Sequence, residues 1–231
     1  MQPVEAILFD MDGVVTDTRA DVDRTWQVVA QQAGVTLTAD DFDRHVYGCK
    51  AETTLAALFP MIPESDWDTV LQPMLASEAA ALYVAMPGVV RLLDVLRTQG
   101  VRTALVTSGA PFKVELVCAQ LGLHDAFEVV VTGDDVARGK PDPDCYLRGA
   151  EALDVKPRNC LVFEDAISGV TAATHAGMQC IGISARGDHL VAAGAAYTIP
   201  DFTRATIMSS PVPGQTWLFT SPGRCIPLKT H

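Results

Sequence analysis

The chain has 231 residues and a formal net charge of −11, from 17 Lys and Arg against 28 Asp and Glu. Hydrophobic residues make up 48% and charged residues 19%, the usage of a folded chain of one or two domains, which excludes disorder. A pI near 4.7 argues against non-specific nucleic-acid binding; no apolar run attains the roughly 18–20 residues of a membrane span, and no basic segment precedes the first apolar stretch, so a soluble, unexported, cytoplasmic protein is expected.

The first element is Val4-Glu5-Ala6-Ile7-Leu8-Phe9, a short and mostly apolar run with the flanks of a buried parallel strand. A helix follows, with Thr18 and Asp21 as its capping box and Val22, Trp26, Val29, Ala30 and Ala33 on one face before Gly34. Thr38 with Asp41 offers a second cap, and a further helix from Pro63-Glu64 carries Val70, Leu71, Met74 and Leu75. No strand pattern interrupts this stretch, so residues 17–85 are predicted as an all-helical insert. After Met86-Pro87-Gly88 the rhythm alternates. Helices are expected over 89–96, 111–121, 143–153 and 166–176, and strands over 102–107, 127–131, 160–163 and 179–183. Such alternation predicts an α/β fold, a parallel sheet flanked by helices, built from residues 1–16 and 86–208. Ligands in such sheets bind at the carboxyl ends of the strands. Residues 209–231, with Pro211, Pro213, Pro222, Pro227, Gly214 and Gly223, predict an irregular tail in which Trp217-Leu218-Phe219 offers apolar anchorage. The six cysteines form no C-x-x-C pair, and the five histidines show no ligand spacing, so neither disulfides nor zinc are expected.

Four polar clusters stand at the ends of these segments. Asp10 ends the first strand, Asp12 lies two residues on, and Gly13 lets the chain turn sharply away. Two carboxylates this close repel unless a cation or a shared proton intervenes. Thr107-Ser108-Gly109 brings hydroxyls and N–H groups to a helix start, which suits either an anion or an ordinary cap. Lys140 is flanked by Gly139 and Pro141 before a helix. The segment from Gly133 has one residue too many between its glycines for a Walker loop, and Pro141 stands where that motif needs Ser or Thr. Glu164-Asp165 follows Leu161-Val162-Phe163 and precedes Ala166-Ile167-Ser168-Gly169. Each cluster alone has a plain structural reading as a turn, a cap or surface charge. Together, on one sheet edge, they demand a hard cation, and oxygen-only donors point to magnesium, with Lys140 and a hydroxyl left to hold a phosphoryl group.

These clusters, in this order and with a helical insert after the first, resemble the haloacid dehalogenase superfamily. The likeness runs to about Met208 and is most specific over 10–18, 139–142 and 163–169. It implies a Rossmann-like core and, over residues 17–85, a small helical cap of the β-phosphoglucomutase and sugar-phosphate phosphatase branch. It further implies Asp10 as nucleophile, Asp12 as general acid and base, and Thr107, Ser108 and Lys140 as phosphate ligands. Magnesium would be held by Asp10, Asp12 through its carbonyl, Asp165 and Glu164, the last directly or through water. Thr16–Thr18 and Ala85–Gly88 are the expected hinges.

Two cap positions bear on the reaction. The histidine and lysine that handle a returning hexose phosphate in the mutases are matched here by Val22 and Ala79, which favours water as acceptor and so a phosphatase over a mutase. Lys50 matches a cap arginine that grips a distal phosphate. Val22, Val46, Leu55 and Leu82 make the expected cap surface apolar, suited to a sugar or ribosyl phosphate on a nucleoside-like or natural-product scaffold. The expected partner is thus a small phosphorylated metabolite, with neither nucleic acid nor membrane, bound by a monomer or weak dimer. A receiver-like signalling module, the rival from another class, would be about half as long, carry its phosphorylated acid on a later strand and lack the insert. A decayed, non-catalytic relative would have lost some of the chemical positions, all of which are present.

Overall fold

The computed structural model describes residues 3–209, 216–221 and 224–230. Strand β1 (Ala6–Phe9) leads into the helical segment, α1 (Arg19–Ala33), α2 (Ala39–Asp41), α3 (Ala51–Leu58) and α4 (Trp67–Ala79). A π-helical turn over Phe42–Val46 extends α2. The alternating part follows as α5 (Val89–Thr98), β2 (Arg102–Val106), α6 (Pro111–Leu121), β3 (Val129–Val131), α7 (Asp144–Ala152), β4 (Cys160–Glu164), α8 (Ile167–His175) and β5 (Gln179–Ile183). A short α9 (Asp188–Ala192) and β6 (Thr198–Ile199) complete it.

The six strands form one parallel sheet in the order β3-β2-β1-β4-β5-β6. From β1 the chain winds outward through β2 and β3, and from β4 it winds the other way. The switch point therefore lies between β1 and β4, where such sheets open a crevice at their carboxyl ends. Within β1 the period of two sorts the side chains: Ile7 and Phe9 join the core on one face, Ala6 and Leu8 the core on the other. The helical segment has its own core around Trp26, Phe42, Val46, Leu55 and Phe59, with Trp26 stacked on Phe59 at 5.9 Å. No helix among the described residues is long and apolar enough to cross a membrane.

Where the chain leaves and re-enters the sheet body, its two crossings lie side by side. Thr16 bridges Ala85, Asp17 N donates to Val84 O at 2.9 Å, and Met86 N donates to Val15 O at 2.9 Å.

Two expectations need correction. The Thr38–Asp41 capping box forms, but the one expected at Thr18 and Asp21 does not; the Thr18 hydroxyl instead donates to Asp12. The described residues from 209 onward do not form an irregular tail either. Strands β7 (Thr206–Ser209), β8 (Thr216–Ser221) and β9 (Arg224–Leu228) form an antiparallel sheet, and β7 runs across the expected boundary. Leu218, Ile226 and Leu228 join the same core as Ile7 and Phe9. Val4 N donates to Pro227 O, and Lys229 N to Val4 O, both at 2.8 Å. Pro227 is tolerated because it stands on an edge strand of its sheet. The anchor is Leu218 rather than its aromatic neighbours Trp217 and Phe219, which point to the other face and are partly exposed. Pro211, Pro213, Gly214, Pro222 and Gly223 lie outside the described residues.

Candidate active site

Asp10 follows the last residue of β1, and its N–H still bonds Phe163 O across to β4. The chain then folds back at once: Gly13 N donates to Thr16 O at 2.7 Å, and the Thr16 hydroxyl to Met11 O at 3.0 Å. Gly13 has φ +80°, and a Cβ there would fall 2.2 Å from Asp165 Oδ2, so this turn admits only glycine. The turn presents Asp10, buried, and Asp12, partly exposed, to the same crevice.

Lys140 is 1% exposed and uses three donors, to Asp10 Oδ1 at 2.5 Å, Glu164 Oε1 at 2.6 Å and Val106 O at 3.3 Å. It follows a 3₁₀ turn beyond β3, so four separate strands contribute to this contact. Burial opposes its charge, but the Asp10 and Glu164 carboxylates outweigh burial and raise its pKa. Burial pushes Asp10 up to about 7, with Glu164 and Asp12 adding to the rise and Lys140 opposing it. Asp165 is raised well above the usual carboxylate range, by burial first and then by Glu164 and Asp10.

Asp10, Glu164 and Asp165 bring carboxylate oxygens within 4.8 Å of one another. This buried, self-repelling, oxygen-only donor set fits a hard divalent cation, whose charge offsets the burial and the repulsion that raise Asp10 and Asp165. Within it the roles differ. Glu164 Oε1 accepts from Lys140 and from the Tyr146 hydroxyl at 2.8 Å, and Oε2 accepts from the N–H groups of Asp165 and Ala166 at 2.9 and 3.1 Å. Four hydrogen bonds fill its acceptor positions, and it does not line the cavity, whereas Asp10, Asp12 and Asp165 do. Gly169 makes room for it: a Cβ there would lie 1.7 Å from Glu164 Oε1.

The crevice continues into a cavity of about 720 Å³ between the sheet edge and the helical segment. Thr107, Ser108 and Lys140 line its floor; Val22, Trp26, Val46, Met74 and Leu75 line the opposite wall. Leu55 and Leu82 do not belong to that wall. Leu55 is fully buried inside the helical segment's own core, and Leu82 is 88% exposed. The Ser108 hydroxyl donates to Gly48 O at 2.7 Å, and Ser168 Oγ to Tyr47 O at 2.8 Å, so both tie the helical segment down. Lys50 lines the cavity, but its ammonium donates to Val136 O at 2.8 Å and does the same work.

Two charged residues that sequence reasoning passed over stand in the site. Arg19 opens α1, pairs with Asp165 at 3.0 Å and with Asp43 at 3.5 Å, and lies over the Tyr47 ring. A cation at a helix N-terminus opposes the helix dipole, which was the available sign that its task lies outside the helix. Lys113, on α6, donates to Asp12 Oδ2 and to Glu78 Oε1, both at 2.9 Å. It shares the buried stripe of Val114, Val117 and Cys118, and a lysine on an apolar stripe was the corresponding sign.

A model of the haloacid dehalogenase-like hydrolase family matches residues 4–177. Hexitol phosphatase A of Escherichia coli K12 is 35% identical over 187 residues, covering 80% of this chain and 85% of that protein. Validoxylamine A 7'-phosphate phosphatase of Streptomyces hygroscopicus subsp. limoneus is 32% identical over 205 residues, covering 85% and 93%. The crystal structure of CbbY from Rhodobacter sphaeroides in complex with phosphate superposes with a TM-score of 0.71 at 26% identity, covering 87% of this chain and 95% of that one. The resemblance and the fold class expected from the four clusters are both borne out. A match this long, running from the first strand through both acid pairs, makes the chain a member of the haloacid dehalogenase-like hydrolase family.

Proposed function

We propose that the protein is a magnesium-dependent phosphomonoesterase acting on a small phosphorylated metabolite through an aspartyl-phosphate intermediate. The observation that carries this reading is the pairing of a buried, lysine-clamped Asp10 with Asp12 on one turn, facing one cavity. Residues 17–85 act as the cap, and residues 1–16 and 86 onward, with the C-terminal sheet, as the core.

Asp10 attacks phosphorus in line, so that an Asp10 oxygen–phosphorus bond forms as the bond to the leaving oxygen breaks. Asp12 gives its proton to that oxygen, because an alkoxide is a poor leaving group, and then takes a proton from the water that releases phosphate and restores Asp10. Thr107, the Ser108 backbone and Lys140 hold the phosphoryl group, while Glu164 and Tyr146 keep Lys140 in place. Asp10, Asp165 and the Asp12 carbonyl would hold magnesium, which supplies charge neutralisation for the phosphoryl oxygens.

The apolar cavity wall favours a leaving group with a ring or carbon face, such as a sugar or ribosyl phosphate on a larger scaffold. The phosphatases named above act, by their names, on hexitol and validoxylamine phosphates. Phosphate release across hexitol, hexose and nucleoside 5'-phosphates and natural-product sugar phosphates tests the reading. Magnesium-dependent turnover that varies strongly across the panel supports it; no release from any member, or none of the dependence on metal, rejects it. Val22 and Ala79 argue against the mutase alternative. β-Glucose 1-phosphate should therefore yield free phosphate, and hexose 6-phosphate as product would reverse that conclusion.

A further inference from the structure

Asp12 is gripped from both sides by groups whose positions depend on the cap. Its Oδ1 accepts from the Thr18 hydroxyl at 2.7 Å, and its Oδ2 from Lys113 Nζ at 2.9 Å. Thr18 stands at the first crossing into the cap. Lys113 belongs to the core, yet its ammonium also reaches Glu78 near the end of α4, on the cap, at 2.9 Å. Two turns further along α6, the Gln120 side chain accepts from Tyr83 N at 2.9 Å and donates to Ala81 O at 3.0 Å. One core helix thus holds the second crossing at two points, and at one of them the holding group also touches the acid. An exposed ion pair would count for little, but the Lys113 side chain is only 6% exposed and has no bulk water to replace a lost partner.

We propose that Lys113 is a positioning residue that couples cap closure to proton transfer: anchored by Glu78 when the cap is down, it aligns the Asp12 carboxyl on the leaving oxygen. The inference rests on the phosphomonoesterase reading. Swinging the cap away removes Glu78 and loosens Thr18, so the acid is left unaligned when water has free access to the site.

The test uses leaving groups of different need. Lys113→Met and Glu78→Gln are compared with wild type on p-nitrophenyl phosphate, whose leaving group departs without a proton, and on the alkyl phosphomonoester that wild type cleaves fastest. For Lys113→Met, kcat/KM on the alkyl ester should fall about tenfold or more, part of the roughly 10²–10⁴ that a general acid supplies. On p-nitrophenyl phosphate it should change by less than about threefold, because kcat/KM reports the steps through leaving-group departure. Glu78→Gln should show a smaller loss with the same selectivity. Equal losses on both esters, or no loss, would overturn the proposal, as would a Glu78→Gln enzyme that behaves as wild type. Should Lys113→Met fail to fold, the partly exposed Glu78 decides alone. Wild type inactive on every ester would instead reject the phosphomonoesterase reading itself.

Discussion

Asp10 combines burial, a lysine contact and two neighbouring acids, and its protonation has a measurable consequence. Its pKa is about 7 in the folded chain against 3.8 for an ordinary aspartate. The unfolded chain therefore loses this proton near pH 4 and the folded chain near pH 7, so the metal-free fold loses stability as pH rises between them. Asp10→Asn removes that dependence. Its melting temperature relative to wild type should climb from pH 5 to pH 8 by several degrees, at about 2–4 °C per kcal/mol for a chain of this size. A constant difference across that range would contradict the argument. Magnesium needs the ionised carboxylates, so it should raise the wild-type melting temperature more at pH 8 than at pH 5, and thermal scans with and without the ion decide the matter. The same variant should lose turnover altogether while remaining folded by circular dichroism. At this scale the sequence was most legible where a residue had an unusual neighbour: Asp10, Asp12, Lys140 and the Glu164-Asp165 pair all stand against glycine, proline or a strand end. Lys113 and Arg19 lie inside regular helices and acquire their partners from residues distant in sequence, which local patterns do not reveal.

Among the elements, those bounded by strong signals came out closest to expectation. Helix α6 starts at Pro111 and ends at Gly122, and β5 covers Gln179–Ile183, both as expected. Thr18 misled because a hydroxyl before a helix has two possible partners, and here Asp12 outcompetes the helix's own N–H groups. Strand β8 was hidden for another reason. Its inward positions are Thr216, Leu218 and Thr220, and its outward ones include Trp217 and Phe219, so polarity does not alternate with burial. The strand matters nonetheless. Leu218→Ala should destabilise the protein by about 2–5 kcal/mol in urea unfolding, the range for truncating a fully buried leucine; a cost below about 1 kcal/mol would mean that the C-terminal sheet is not part of the core's stability. At α8, Gly169→Ala should displace Glu164 and release Lys140. Activity should then fall at least as far as with Glu164→Gln, and an unaffected enzyme would show that Glu164 can be accommodated elsewhere.

For the molecule as a whole, the central question is how firmly the helical segment proposed as the cap is held. Ser108 and Ser168 each donate a hydrogen bond to a carbonyl of that segment, at 2.7 and 2.8 Å. Removing both by alanine should shift the closing equilibrium toward open by about 1–3 kcal/mol, at about 0.5–1.5 kcal/mol for each bond. If closure accompanies binding, KM should rise about fivefold or more, and the radius of gyration in small-angle scattering without substrate should grow. The general plan, a parallel sheet interrupted by a helical insert, was legible from periodicity; the C-terminal sheet and the pairing of the two crossings were not, because both depend on contacts between distant segments. One such contact also governs the order of assembly. Strand β1 is made first, yet it lies in the middle of the sheet, between strands that begin at Arg102 and Cys160, and Val4 beside it bridges Leu228 near the other end of the chain. On the ribosome this segment must wait first for β2 and then for β4, and such long-range pairing is slow and exposed to aggregation. Asp10, the proposed nucleophile, therefore follows a strand completed late, and a nascent chain lacking β4 has no Glu164-Asp165 to set beside it. The proposed hydrolytic site is thereby assembled only once β4 is in place.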